Sequence, residues 1–206
     1  MEVTRGPDAQ CSLRRVIVVG AAGAGKTTFA RRLAGVLGCP HYEKDRLWWG
    51  PGWTRVPVEI FCERMQMILL QDSWVFDGNW RAERDPLWRQ ANTVVWLNYE
   101  LPVVLCRLAR RTHRRLQDGA VLWAGNRESW QRATSEHSVL LHSVHSHHAQ
   151  QVDYPRLFAR PAYRHLEVVR LHTPAEAESW LVSLAQVQAM PGLPFAAGPH
   201  YLTAAV

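Results

Sequence analysis

The sequence predicts an α/β domain in which a five-stranded parallel sheet is covered by helices on both faces. Short runs of β-branched and apolar residues alternate with longer segments whose apolar residues recur at helical spacing. This alternation is typical of parallel sheets with crossover helices on both faces. With 206 residues, 47% of them hydrophobic, the chain is long enough for one well-buried core. We therefore expect one domain over residues 1–206, with a core over about 15–188 and loosely ordered ends at 1–13 and 190–206.

Each predicted strand is a short apolar run bounded by polar or turn-forming residues. The first reads RVIVVG over residues 15–20 and is followed by a glycine-rich turn. Ligands of parallel sheets bind at the carboxyl ends of the strands. We therefore expect the loops after strands one, two and three to form one site. The remaining strands are predicted over residues 39–43, 73–76, 93–97 and 166–171.

The predicted helices are identified by apolar spacing and by residues that begin or end a helix. Gly38 ends the first helix, while Pro57 and Pro174 stand at the start of two others. A loop rich in Trp, Gly and Pro separates the second strand from the second helix. The predicted helices cover residues 26–37, 58–71, 85–90, 102–117 and 174–187, with a polar helical segment over 127–151 and the loop over 46–57.

The turn after the first strand matches a phosphate-binding loop. Four residues separate Gly20 from Gly25, and Lys26-Thr27 follow, which is the G-x4-G-K-[ST] spacing between a strand and a helix. Such a loop directs backbone N–H groups and a helix dipole at an anion, and its lysine bridges the β- and γ-phosphates. The sequence therefore predicts a P-loop NTPase; the alternative is a Gly/Ala-rich turn that only packs. The expected nucleotide-binding residues are Gly20, Ala21, Ala22, Gly23, Ala24, Gly25, Lys26, Thr27 and Thr28.

A magnesium site is predicted beside this loop. Asp77 follows the apolar run Trp74-Val75-Phe76, which is the position of an acid that holds Mg²⁺ in P-loop proteins. Mg²⁺ bound to a triphosphate takes one or two carboxylates together with phosphate oxygens and water. We expect Thr27 and Asp77 to hold the ion. The alternative is that Asp77 forms a turn with Gly78.

Asp45 follows the second strand and is expected to lie across the cleft from the γ-phosphate. In a kinase, a carboxylate at this position accepts the proton of the acceptor hydroxyl or orients that hydroxyl. The alternative is a surface aspartate that pairs with Lys44 or Arg46.

Four arginines of the helix over 102–117 fall opposite an apolar face centred on Leu105. Guanidinium groups bind phosphate oxygens bidentately, so these arginines are expected to close over the transferring phosphates as a helical, arginine-rich lid. Arg107 and Arg111 are the expected catalytic members. The alternative is a solvated helix face. The four arginines are Arg107, Arg110, Arg111 and Arg114.

Two further clusters leave their roles open. Four tryptophans, at positions 48, 49, 53 and 80, are expected in loops on the acceptor side, where they stack on a ligand or fill a small core. Five histidines, at positions 137, 142, 145, 147 and 148, share no helix face and have no accompanying cysteine, which argues against a metal site.

Composition limits the remaining classes of function. The net charge of +6 comes largely from arginine, and the arginines clustered on one helix suit a small phosphorylated ligand at least as well as a nucleic acid, so nucleic acid is not expected as the primary partner. No secretory leader or membrane-spanning run is visible, and the four cysteines form no C-x-x-C pair. We expect a cytoplasmic protein with reduced thiols and no membrane partner.

Several of these segments together resemble the P-loop kinase-like proteins called topology modulation (FlaR-like) proteins, relatives of adenylate and shikimate kinases. The most particular of the shared elements are Pro51-Gly52-Trp53 and the Asp77-Gly78-Asn79-Trp80 run. The resemblance implies a nucleoside-monophosphate-kinase type of fold, ATP with Mg²⁺, and kinase activity on an acceptor that the family does not define. After the fourth strand the family usually reads L-D-x-P, whereas this chain reads Leu97-Asn98-Tyr99-Glu100.

The leading hypothesis is a kinase that transfers the γ-phosphoryl group of ATP to a small molecule, such as a nucleotide or nucleoside. A nucleotide triphosphate and a small-molecule acceptor are then its partners. The alternative from another class is an ATP-dependent switch that binds protein or DNA. A third hypothesis is a toxin that phosphorylates a sugar nucleotide.

Overall fold

The computed structural model describes residues 13–79, 86–131 and 139–189 and has the predicted parallel sheet at its centre. All strand pairs are parallel, and the strand order is β2-β3-β1-β4-β5. The prediction of five parallel strands is therefore confirmed. The strands are β1 (Arg15–Gly20), β2 (His41–Glu43), β3 (Trp74–Asp77), β4 (Thr93–Leu97) and β5 (Glu167–Leu171).

Strand β1 occupies the middle of the sheet because it is apolar on both faces. Val16, Ile17, Val18 and Val19 are fully buried. The register pairs Val18 with Asp77 on β3 and Gly20 with Leu97 on β4. The carboxyl ends of β1, β3 and β4 therefore lie side by side, as expected for a site at this edge.

Seven helices cover the two faces of the sheet in the described part of the chain. On one face, α1 and α7 pack against the even-numbered valines of β1 through Phe29, Leu33 and Leu181. On the other face, α3, α4 and α6 pack against Ile17 and Val19. The helices are α1 (Lys26–Leu37), α2 (Lys44–Trp48), α3 (Val58–Leu69), α4 (Pro86–Gln90), α5 (Leu101–Gln117), α6 (Val139–Phe158) and α7 (Pro174–Gln188).

Two segments differ from the sequence prediction. Residues 44–48 form α2, where most of the segment was expected as loop. Helix α6 continues through Pro155 to Phe158 instead of ending near residue 151, because Tyr154 and Leu157 are buried against the sheet and hold the last turn in place. The expected loose ends lie outside the described residues, except Leu13, which packs against the core. No helix in the described ranges combines the length and hydropathy needed to cross a bilayer.

Candidate active site

The loop between β1 and α1 has a backbone that only its glycines adopt readily. Gly20, Gly23 and Gly25 have φ angles of 149°, 98° and 91°. A Cβ atom on Gly23 would lie 2.5 Å from the carbonyl oxygen of Val104 and 2.8 Å from Leu108 Cβ. The loop therefore packs directly against α5. Its left-handed glycines and the helix that begins at Lys26 provide the cradle that the predicted phosphate site requires.

Lys26 folds back across this loop. Its Nζ donates hydrogen bonds to the carbonyl oxygens of Gly20 at 2.9 Å and Ala21 at 3.0 Å. Burial lowers the pKa of Lys26 to about 8, while the charges of Asp77 and Asp45 act in the opposite direction. The ammonium group thus lies within the loop, in the field of two carboxylates, and it lines the cleft where an anionic ligand could bind.

Asp77 lies at the end of β3, directly beside the first residues of α1. Its Oδ1 accepts a hydrogen bond from Thr27 Oγ1 at 3.3 Å, and its Oδ2 is hydrogen-bonded to His41 Nε2 at 2.8 Å. The side chain is 7% exposed, so this aspartate is not a surface turn residue. A hydroxyl and a buried carboxylate side by side are oxygen donors that suit Mg²⁺. The residues present therefore fit the ion that the sequence predicts.

Two residues hold this edge together in ways that sequence reasoning did not identify, although it placed the second of them, Asn79, at the site. One is His41 on β2, which fixes Asp77. The other is Asn79, whose Oδ1 accepts a hydrogen bond from the backbone N–H of Gly20 at 3.2 Å and whose carbonyl accepts from Lys44 Nζ at 2.7 Å. Their roles depend on the order in which β2, β3 and β1 pair, and the sequence alone does not give that order.

Asp45 lies in the first turn of α2 and lines the same cleft, which has a volume of about 1410 Å³. By surface area the residue is exposed to the solvent of the cleft. The protein on either side of the cleft still desolvates the carboxylate in part, which raises the pKa of Asp45, with Lys26 and Lys44 opposing the effect. In the described residues Asp45 forms no ion pair with Lys44 or Arg46, so the surface-pair alternative has no support.

The arginines of α5 divide into two groups. Arg107, Arg111 and Arg115 line the cleft at successive turns, whereas Arg110 and Arg114 are exposed and are not part of its lining. The expected group of four therefore includes two arginines that lie outside the cleft, Arg110 and Arg114, and omits Arg115, which lines it. The apolar face explains the difference, because α5 buries Val104 and Leu108 rather than a face centred on Leu105.

The three arginines of the cleft contact different groups. Arg107 Nη1 donates to the carbonyl oxygen of Ala24 in the loop at 3.3 Å. Arg115 Nη1 pairs with Glu128 Oε1 at 2.8 Å. Arg111, between them on the helix, has a buried Nε without a hydrogen-bond partner. Burial lowers the pKa of Arg111, with a smaller contribution of the same sign from Arg115.

Two turns with the same backbone conformation form a wall of the cleft. The first covers residues 49–55 and the second residues 121–127, and an antiparallel bridge between its end residues closes each of them. The fourth and fifth residues of both turns are left-handed, with φ angles of 64° and 60° in the first and 52° and 79° in the second. In both, the N–H of the second residue donates to the carbonyl of the sixth, at 2.8 and 2.7 Å. We call them the paired turns.

Asn126 joins the paired turns. Its Oδ1 accepts from the backbone N–H of Trp53 at 2.9 Å, and its Nδ2 donates to the carbonyl oxygen of Gly50 at 2.8 Å. The rings of Trp49, Trp53 and Trp123 follow one another edge to face, with centroids 5.7 and 6.4 Å apart. The Trp–Pro–Gly segment was expected near an acceptor, but nothing in the sequence showed that residues 121–127 would pair with it.

The tryptophan cluster expected from the sequence does not stay together. Trp49 and Trp53 line the cleft. Trp48 packs against Phe61 on the core side, with ring centroids 5.3 Å apart. Trp80 lies outside the described residues. Trp48 therefore contributes to the core, whereas stacking of Trp49 and Trp53 on a ligand stays a prediction.

The expected histidine cluster is spread along α6. His142 and His145 line the cleft, and a ring nitrogen of His147 is hydrogen-bonded to the carbonyl oxygen of Tyr99 at 3.0 Å. Within the described ranges no group of three metal-ligating side chains comes together. His137 lies outside them.

The departure from L-D-x-P after β4 has a structural explanation. Asn98 is 9% exposed, and its side chain contacts Gln151 of α6. With its amide oxygen turned towards β5, Asn98 accepts from Arg170 Nη2 at 2.6 Å. The Arg170 guanidinium lies 4.4 Å from the ring centroid of Trp96. Asn98 thus joins β4, β5 and α6 rather than lining the cleft.

The chain is similar to solved structures of small-molecule kinases. A shikimate kinase from Acinetobacter baumannii, in complex with shikimate, aligns with a TM-score of 0.50 and 18% identity over 85% of this chain and 92% of that chain. The fold is that of the P-loop kinases. A shikimate kinase from Bacteroides thetaiotaomicron aligns with a TM-score of 0.48 and 14% identity, covering 86% of this chain and 99% of that chain. A gluconokinase from Sinorhizobium meliloti 1021 aligns with a TM-score of 0.47 and 18% identity, covering 86% and 96%.

The sequence matches no protein-family model, and a search of curated proteins gives no match. The resemblance to topology modulation proteins is therefore not confirmed by a family match. With a TM-score of 0.50 and 18% identity, the structure from Acinetobacter baumannii supports the fold and does not identify an acceptor.

Proposed function

We propose that the protein is an ATP-dependent phosphotransferase that transfers the γ-phosphoryl group to a hydroxyl group of a small molecule. One observation carries this proposal: a single cleft contains the glycine-rich loop with Lys26, the Thr27–Asp77 pair, and Asp45, a carboxylate without an ion pair in the described residues. With ATP as the donor, we expect the reaction to take place in the cytoplasm.

Different residues of the cleft would act on ATP and on the acceptor. The backbone N–H groups of the loop and Lys26 would bind the β- and γ-phosphates, and Thr27 with Asp77 would hold Mg²⁺. When bound, Mg²⁺ would neutralise charge on the phosphate oxygens. Asp45 would accept the hydroxyl proton while the acceptor oxygen forms its bond to the γ-phosphorus and the bond to the β,γ-bridging oxygen breaks, which releases ADP. Arg107, which contacts the loop, would bind the nucleotide from α5.

The solved structures support a kinase at the level of the fold. Two of them are shikimate kinases, one in complex with shikimate, and the third is a gluconokinase. A nucleotide and a small hydroxylated acceptor are therefore the substrate classes with which a test should begin.

The proposal is tested by measuring ADP release over a panel of small hydroxylated acceptors. At least one acceptor is expected to increase the rate above that with ATP alone. Lys26→Ala should lower kcat/KM by about 100- to 1000-fold, because it removes a charge aimed at the transferring phosphate. Arg164→Ala, at an exposed position outside the cleft, serves as the control and should retain wild-type rates. Slow turnover that no acceptor stimulates would contradict the proposal.

A further inference from the structure

The end of the cleft beyond the glycine-rich loop has a composition that restricts the acceptor, if the proposed phosphotransferase function is correct. We define this end by the cleft-lining residues among 43–46, 49–55, 111–115 and 121–128. They include Asp45, Arg111 and the tryptophans of the paired turns. Arg107 contacts the loop itself at the Ala24 carbonyl, and Arg111 follows one helical turn later. A turn advances about 5.4 Å along the axis, so Arg111 lies further along the cleft from the Ala24 contact, and its charge acts on both Lys26 and Asp45.

This end of the cleft carries more positive than negative charge. Its basic side chains are Lys44, Arg46, Arg55, Arg111 and Arg115, and its acidic ones are Glu43, Asp45 and Glu128. Two of these three carboxylates already bind other side chains of the protein. Glu43 binds Arg31 at 3.1 Å and Trp123 Nε1 at 3.0 Å, and Glu128 binds Arg115 at 2.8 Å. An anionic group that enters here therefore meets arginines rather than unpaired acids, apart from Asp45.

Arg111 is the side chain best placed to bind such a group. Across the described ranges it has no carboxylate within 4 Å, and its buried Nε has no hydrogen-bond partner. The residue is half-buried, and only its Nε is fully buried. A carboxylate or phosphate in the cleft could accept bidentately from the guanidinium Nη groups, which is the strongest type of hydrogen bond available to an arginine. The charges of Arg115, Glu128 and Asp45 act on Arg111, and the charge of Arg111 acts on Lys26 of the loop.

The paired turns give this end of the cleft an aromatic wall that suits a small ring or carbon chain, and the Arg115 guanidinium lies 5.9 Å from the ring centroid of Trp123. Trp53 and Trp123 present aromatic surface, and their backbone and indole groups are already fixed by Asn126 and Glu43. Pockets of this type combine an apolar wall with a few fixed polar groups that orient the ligand. The cleft therefore combines a group that can accept from a hydroxyl, Asp45, a group that can bind an anion, Arg111, and aromatic surface.

We propose that the acceptor carries both a hydroxyl group and an anionic group, a carboxylate or a phosphate, with the hydroxyl at Asp45 and the anion at Arg111. The γ-phosphorus then forms its new bond to the hydroxyl oxygen, the hydroxyl proton passes to Asp45, and ADP leaves with the electrons of the broken bond. The anionic group of the acceptor remains bound to Arg111 and takes no part in bond formation.

Matched acceptors that differ only in the anion test this assignment. The pairs are D-gluconate with D-sorbitol, ribose 5-phosphate with ribose, and uridine monophosphate with uridine. In the wild-type protein, the anionic member of at least one pair should have a kcat/KM at least about 10-fold higher than its neutral partner, as expected for one lost charge-assisted hydrogen-bond pair. The first pair tests a carboxylate and the other two test a phosphate.

Arg111→Gln should remove that preference, leaving a ratio below about 3-fold, while the KM for ATP changes little. Arg111→Lys keeps the charge but loses the bidentate geometry, so part of the preference should remain. Arg164→Gln is the matched control and should keep the full preference. Thermal unfolding of each variant establishes that it is folded before its kinetics are compared.

The outcomes separate this inference from the proposed function. Equal turnover of neutral and anionic acceptors would overturn the assignment of Arg111 and leave the phosphotransferase standing. An increase in the KM for ATP in Arg111→Gln, without a change in acceptor preference, would place Arg111 at the donor phosphate and also overturn it. Absence of acceptor-stimulated ADP release with all six compounds would remove the proposed function and this assignment together.

Discussion

Lys26 carries a charge that depends on pH in the free protein. Its pKa is lowered to about 8, chiefly by burial, and its Nζ is bound to two carbonyl oxygens of the loop. A bound triphosphate favours the charged form and raises this pKa, so binding near pH 8 should be accompanied by proton uptake. The affinity for Mg·ATP should therefore fall as the pH rises through about 8.

Calorimetry with Mg·ATP in two buffers of different ionisation enthalpy measures this uptake directly. Lys26→Arg is the matched control because arginine stays charged over the whole range, so its affinity should depend much less on pH. An affinity for the wild-type protein that stays constant between pH 7 and 9, with no proton uptake, would show that Lys26 does not contact the nucleotide.

Asp45 is expected to determine the acidic limb of the pH–rate profile. Burial raises its pKa above the usual value of 3.8 for an aspartate, and only the ionised form can accept the hydroxyl proton. The kcat/KM should therefore decline with falling pH at a higher pH than an ordinary aspartate would give. Asp45→Asn should lower kcat about 100- to 10,000-fold. The exposed Asp72→Asn is the control, and an unchanged rate in Asp45→Asn would exclude this role.

The loop residues and Asp77 could be predicted from the sequence because their spacing and their place after buried strands are local features. His41 could not be predicted in the same way. A histidine in a short strand has no particular meaning until β2 is known to pair with β3, which brings its ring to 2.8 Å from Asp77 Oδ2. A contact between residues 36 positions apart depends on the sheet order, not on local pattern.

Among the elements, the glycine-rich loop and α5 depend on each other. Gly23→Ala would place a Cβ 2.5 Å from the Val104 carbonyl oxygen at a φ of 98°, so the loop or the helix must shift. We expect a loss of about 1–3 kcal/mol in the free energy of unfolding and weaker Mg·ATP binding. Gly35→Ala, in the open middle of α1, has no neighbour within 4 Å and should instead stabilise the protein by about 0.5–1 kcal/mol.

Urea denaturation of the two variants tests this contrast, since both exchange the same pair of residue types. Equal effects of the two substitutions would mean that the loop does not pack against α5 as described.

Periodicity predicted an arginine face on this helix but placed the centre of its apolar face incorrectly. The centre depends on what the helix packs against, and the glycine-rich loop brings Val104 and Leu108 to that position.

The paired turns are held together by the amide of Asn126. In Asn126→Asp, one oxygen would still accept from Trp53, but the other would face the carbonyl oxygen of Gly50 in place of a donor. We expect the free energy of unfolding to fall by about 1–3 kcal/mol and the KM for the acceptor to rise while the KM for ATP stays nearly constant. Gln117→Glu, the same chemical change at an exposed position of α5, is the control.

Steady-state kinetics in which the ATP and acceptor concentrations are varied in turn show whether the paired turns affect the acceptor side of the cleft alone. If Asn126→Asp raised the two KM values equally, the paired turns would contribute to general stability rather than to the acceptor wall.

Each turn contains glycine and could be expected as a turn from its composition. Their pairing joins segments about 70 residues apart, and only the tertiary structure shows it.

At the scale of the whole molecule, the alternation of strands and helices was sufficient to predict the sheet, its parallel strands and its two covered faces. Strand β1 is apolar on both faces and therefore central, and the two core clusters contain the alternate residues of that strand. The order of the outer strands and the helix over residues 44–48 were not predictable, because they depend on which short segments meet after the chain has folded.

The central claim is that the cleft transfers a phosphoryl group rather than only binding or hydrolysing ATP. The most direct measurement follows the label of [γ-³²P]ATP after incubation with the protein, Mg²⁺ and the acceptor panel. The account predicts that the label appears on an acceptor, and that Lys26→Ala and Asp45→Asn each slow its transfer by at least about 100-fold. Label that remained in ATP, or that was released only as inorganic phosphate with every acceptor, would contradict it and favour an ATP-dependent switch.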